Sequence, residues 1–200
     1  MTTVFSSAEA ENQVLIGKIN ACIGRPFFKE GKYSVSKRSL PFYAKKTELV
    51  RAMNFATLPN ISRTFLCSGD DIFETDGTTE AVLEANEMFS LKLTKENVTD
   101  YAAFFFDRIR TPDGRFKLIR SFDDIPFSSN MDDEPADDLK AVIEHPVVTE
   151  RDGAFWIAAN ILYASVLYRA SIRVAPDGET TVEHEEPVME DLPVERLKLR

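Results

Sequence analysis

The sequence predicts an α+β fold built on an antiparallel sheet, and three observations carry that prediction. One amphipathic stripe opens the chain, a second occupies its middle, and strand-like runs fill much of the remainder. Four of the eight glycines follow an aspartate, at Asp76-Gly77, Asp113-Gly114, Asp152-Gly153 and Asp177-Gly178. Glycine tolerates positive φ and aspartate bonds its own local backbone, so each pair favours a tight turn.

The first helix starts at Ser6-Ser7-Ala8-Glu9, a capping box in which hydroxyl and carboxylate satisfy the first free amides. Leu15, Ile16, Ile19, Cys22 and Ile23 then fall on one face, and Gly24 suits the stop. Residues 31–76 read as short strands. Tyr33 and Val35 alternate with polar neighbours, and Leu49–Phe55, Thr64–Cys67 and Asp71–Thr75 are separated by turn formers. Thr79–Met88 is rich in helix formers. Thr94 is the expected cap of a central helix, about 95–110, whose stripe is Val98, Tyr101, Ala102, Phe105 and Ile109. Thr111-Pro112-Asp113-Gly114 ends it with a turn.

The acidic stretch 123–138 holds two prolines and few large apolar groups, and is expected to be a solvated loop. After it, Val147–Glu150, the long apolar run from Phe155 to Val174, and Thr180–Glu185 read as a C-terminal β-meander. As one strand that run is too long, so a turn near Ala164-Ser165 is expected to divide it. A helix through its centre is the alternative, opposed by its Val, Ile, Tyr, Phe and Trp content. The sheet is expected to pack against the first and central helices. Residues 1–200 suit a single domain, with a C-terminal tail, 187–200, that is extended.

Charge is polarised along the chain. Residues 25–63 carry nine basic groups against Glu30 and Glu48, a net +7 in a protein of −9 overall, so residues 64–200 are strongly acidic. The start of the chain lacks the basic and apolar pattern of an export signal. Cys22 and Cys67 are too few for a disulfide framework, and fit reduced thiols in a cytoplasm. The longest uncharged run, Ala154–Tyr168, is shorter than the roughly 20 residues that span a bilayer, so no membrane association is expected.

No motif points to catalysis, and no catalytic, metal or cofactor residue is assigned. Cys67-Ser68-Gly69-Asp70-Asp71 sets a thiol beside two carboxylates without the nearby base that activates one. His145 and His184 are too few to hold a transition metal unless they meet across the meander. Asp132-Asp133-Glu134 and Asp137-Asp138 lack the spacing of a calcium loop.

Three binding readings stay open. In the leading one the protein associates with itself, as in a homodimer, or with another protein, and Phe104 is the interface candidate. At 100° per residue Phe104 lies off the stripe of its helix, so either a second layer or a partner covers it. In the second, an enzyme or carrier holds a small ligand between helices and sheet, with Tyr101, Trp156, Tyr163 and Tyr168 lining a pocket and Arg169 or Arg173 binding an anion. In the third, the basic residues of 25–63, with Lys37, Arg38, Lys45 and Lys46 as anion-binding candidates and Phe27, Phe28, Tyr33, Phe42 and Tyr43 lying among them, contact nucleic acid. The acidic remainder argues against that last partner.

Overall fold

A computed structural model describes residues 7–111, 116–127 and 136–194. The chain divides into two compact units, residues 1–76 and 77–199.

In the N-terminal unit, helix α1 (Ser7–Ile23) lies over a four-stranded antiparallel sheet of order β1-β2-β3-β4, formed by Tyr33–Leu40, Thr47–Asn54, Ile61–Ser68 and Asp71–Glu74. Alternation sets the covered face. Val35 stands opposite Ala52, Val50 opposite Phe65, and Cys67 opposite Ile72. Ile16 and Ile19 of α1 are buried against them with Phe28, while Leu15 and Ile23 pack at the margin. Cys22, expected on the same stripe, is exposed. It sits roughly 90° round the helix from the mean direction of Ile16, Ile19 and Ile23, at the β4 edge of the sheet, where its thiol donates to the Ile72 carbonyl at 3.9 Å. Gly24 ends the helix at φ +76°, as its position predicts. The Asn20 side chain then donates to the Phe28 carbonyl and accepts from its amide, both at 2.9 Å, which fixes the return into β1. Ser6 of the expected capping box lies outside the described residues.

The C-terminal unit opens with α2 (Thr79–Phe89), capped by the Thr78 hydroxyl accepting from the Ala81 amide at 3.2 Å. Helix α3 covers Val98–Arg108 and not the full 95–110. Residues 94–97 form a turn instead, in which the Thr94 amide donates to the Asn97 side chain at 2.8 Å. The rest is a five-stranded antiparallel sheet: β5 (Phe116–Ile119), β6 (Val147–Arg151), β7 (Ala154–Tyr163), β8 (Val166–Val174) and β9 (Thr180–Met189). Strands β5 and β6 share one edge of β7, and β8 and β9 follow on its other side. The meander of β7, β8 and β9 is thus as expected. The turn at Ala164-Ser165, with Ala164 at φ +53°, divides the long apolar run into two ordinary strands.

One face of this sheet meets α3. Phe106 reaches the ring of Phe116 on β5 at 5.9 Å, and Phe116 stacks on Tyr163 of β7 at 4.3 Å. Phe104, Phe105 and Phe106 are all buried. Phe104 is 1% exposed, so a covering layer within the chain, and not a second molecule, already occupies its surface. An interface anchored there is therefore withdrawn.

On the opposite face, helix α4 (Ala136–Val142) and residues 122–127 and 192–194 close over one half of the sheet. Ile119, Leu162 and Leu167 are buried there with Ile125, Leu139 and Leu192. Two parts of this cover differ from expectation. Asp137 and Asp138 open α4 instead of ending a loop, where their charges suit the N-terminal end of a helix dipole. Phe122–Asp124 forms a 3₁₀ turn held by the Asp124 carboxylate, which accepts from the amides of Arg120 and Ser121 at 2.9 and 3.1 Å. The start of the presumed tail, 187–189, belongs to β9. The turn at Pro112–Gly114, the acids 132–134 and the end of the tail lie outside the described residues.

Candidate functional site

The half of this second face that α4 leaves uncovered is the most distinctive surface of the C-terminal unit. The Asp152-Gly153 turn, with both residues at positive φ (+53° and +72°), joins β6 to β7 by two residues. That short connection sets the register: Arg151 pairs with Ala154 and Thr149 with Trp156. On the far side of β7, Trp156 stands opposite Arg173. Side chains directly across a strand pair have Cβ atoms about 5 Å apart, so Trp156 is flanked on one face by threonine and arginine.

Trp156 is half-buried because Arg151 lies over it, with the guanidinium carbon 3.7 Å from the centre of the indole. That separation is a full stacking contact. The indole Nε1 is buried yet has no hydrogen-bond acceptor, one of only two such side-chain atoms among the described residues. Neither Arg151 nor Arg173 has a carboxylate partner among the described residues, whereas Arg169 on the same face pairs with Glu144 at 2.7 Å. Around this centre Val147 is 60% exposed, and Thr149, Ala158 and His184 are exposed. The surface therefore combines an aromatic ring, two cations with no counter-charge among the described residues, and small apolar patches.

The sheet separates the residues expected to share a pocket. Trp156, Arg169 and Arg173 are on the open face; Tyr163, two residues along β7 from Ile161, and Tyr168, directly opposite Ile161, are on the face toward α3. Period-two alternation makes this unavoidable. Tyr101 is fully buried, and its hydroxyl accepts from Asn86 at 2.7 Å and donates to the Gly178 carbonyl at 2.8 Å. It holds a turn in place and lines no cavity with the others. The basic residues of the N-terminal unit are brought together only in part, with Lys37 and Lys46 lining one cleft. Lys37 and Arg38 are successive on β1 and point to opposite faces, and Lys45 pairs with Asp71 at 2.9 Å. His145 precedes β6 and His184 sits on β9, with the β7–β8 pair between those strands, roughly 14 Å of sheet. They do not meet, and among the described residues no group of three or more His, Cys, Asp and Glu is placed to hold a metal.

Arg151, Val147 and Ala158 were missed in the sequence. The signal for Arg151 was there: a two-residue Asp-Gly hairpin places Trp156 opposite Thr149 and diagonal to Arg151 by counting alone.

In the N-terminal unit a cleft of about 420 Å³ is lined by Glu11, Lys37, Lys46, Glu48 and Cys67. Burial, with a smaller contribution from the Glu48 charge, pushes the Cys67 thiol up to about 12. A thiol so protonated is a poor nucleophile near neutral pH. Cys22 is exposed. In the native protein, one thiol is expected to react with a disulfide reagent at pH 8 and the second only after denaturation; rapid reaction of both would show that Cys67 is accessible. Because the folded state holds this proton more tightly, the stability it supports is complete below about pH 9 and falls as pH rises toward about 12.

Comparison with family models, with curated proteins and with solved structures finds no match for this chain.

Proposed function

We propose that the protein acts by binding another protein through the open half of the C-terminal sheet, with Trp156 as the anchor. The observation that carries this reading is a half-buried indole flanked by two arginines without carboxylate partners among the described residues. Tryptophan and arginine are the side chains on which binding energy concentrates at protein interfaces, and they work at the centre of a patch that excludes water. The exposed Val147 and Ala158 supply apolar area at its margin. The two cysteines are both free, which supports a reducing, cytoplasmic setting.

A photo-crosslinking residue at Ala158, tested in an extract of the native cell, is expected to give a discrete protein adduct. Trp156→Ala should weaken that capture by about 2 kcal/mol or more, roughly thirtyfold. The same probe at Val14, which is 63% exposed on α1, serves as the reference position. Equal adducts from both positions, or an adduct indifferent to Trp156→Ala, would sink the reading.

A further inference from the structure

We infer that the partner segment seated on this surface is an acidic polypeptide whose carboxylates engage Arg151 and Arg173 on either side of Trp156. The inference rests on the binding reading above and adds the chemistry of the occupant.

Charge complementarity is the first argument. On this same face Arg169 finds a carboxylate within the chain, Glu144 at 2.7 Å, as Arg120 does elsewhere with Asp100 at 2.8 Å. Arg151 and Arg173 flank the same indole and have none among the described residues. Stacking on Trp156 uses the face of the Arg151 guanidinium and leaves its edge donors in the plane, where a carboxylate takes two parallel hydrogen bonds.

The second argument separates a peptide from a nucleic acid. A polynucleotide presents a charge at every step and needs a continuous cationic track. Here Arg173 stands opposite Thr181 on β9 and Arg169 opposite Glu186, and the exposed Glu183 and Glu186 would repel such a chain. A polypeptide can space its carboxylates and set apolar side chains between them, against Val147 and Ala158.

Trp156 is the only tryptophan in the chain, so intrinsic fluorescence reports on this surface alone. The experiment titrates the intact protein at low salt with a short, end-blocked peptide of glutamate interleaved with alanine and valine. Parallel titrations use the same peptide with glutamine for every glutamate, a short single-stranded DNA, and inorganic phosphate. A saturable change in Trp156 emission is expected with the glutamate peptide only. Arg173→Glu and Arg151→Glu should each weaken it at least about tenfold. Thr149→Glu, at an exposed position opposite Trp156, should do the same while leaving both arginines and the folded sheet intact, as unchanged circular dichroism would verify. Equal binding of the glutamine peptide overturns the inference, as does saturation by the DNA or by phosphate in place of the peptide. No response to any probe overturns the acidic class as well, while the crosslink at Ala158 decides separately whether the surface binds protein at all.

Discussion

Replacing Gly178 with alanine is expected to destabilise the protein by about 4 kcal/mol, a large part of the 5–15 kcal/mol that typically holds a domain folded. Gly178 lies in the turn between β8 and β9 at φ +91°, a conformation that side chains rarely adopt. A Cβ there would stand 2.2 Å from the Tyr101 hydroxyl and 2.3 Å from the Asn86 side-chain nitrogen. Neither group can yield cheaply. Tyr101 is buried, donates to the Gly178 carbonyl and accepts from Asn86, which also donates to the Asp177 carbonyl at 2.9 Å. Moving either strands buried polar atoms, at about 1–3 kcal/mol each. Adding Tyr101→Phe to the variant should rescue little, since the ring carbon and Asn86 still obstruct at 2.7 and 2.3 Å. Urea denaturation measures both. A Gly178→Ala midpoint equal to that of the wild type would mean that the turn moves freely and that this network is not what ties α2 and α3 to the sheet.

Phe65→Ala should cost about 3–5 kcal/mol, the usual range for removing a fully buried aromatic ring. Phe65 is wholly inaccessible and stands on β3 between Val50 on β2 and Glu74 on β4, under α1. Its neighbours Ile16, Ile19, Phe28, Ala52 and Cys67 are held in a close-packed layer with little room to collapse into the vacated volume. Phe65→Leu keeps most of that volume and should cost under half as much. Equal losses for the two variants would show that the ring's volume does not matter at this site. The loss of packing over Cys67 should also make its thiol react in Phe65→Ala without denaturant, linking the effect to the core and not to the unfolded chain.

How far the fold could be read in advance followed how local its causes are. Helix α1, the strands of the N-terminal sheet and the meander of β7, β8 and β9 were legible because period 3.6, period 2 and Asp-Gly turns are written over a few consecutive residues. Strand β5 and helix α4 were not anticipated. Phe116–Ile119 spans four residues, too few to show a period, and gains strand form only by pairing with β7. Ala136–Val142 is a seven-residue segment whose fully buried Leu139 makes it a helix worth forming only when Ile119, Leu162 and Leu167 are beneath it. The extent of α3 erred by a turn at its start because Asn97, not Thr94, precedes the first helical residue.

By itself the sequence determined the class of this protein: an α+β chain with antiparallel sheets, an acidic balance, and helices and hairpins at positions given by local periodicity and turn chemistry. Only the tertiary structure decided which side chains share a face. Trp156 and Tyr163 are both aromatic and both on β7, yet an odd separation in sequence puts them on opposite sides of the sheet. Phe104 lies off the apolar stripe of its helix, and is buried once the chain folds. Arg151 and Arg173 are far apart in sequence and are brought to one indole by strand register. Each outcome depends on pairings between distant segments, which a pattern read along neighbouring residues does not contain.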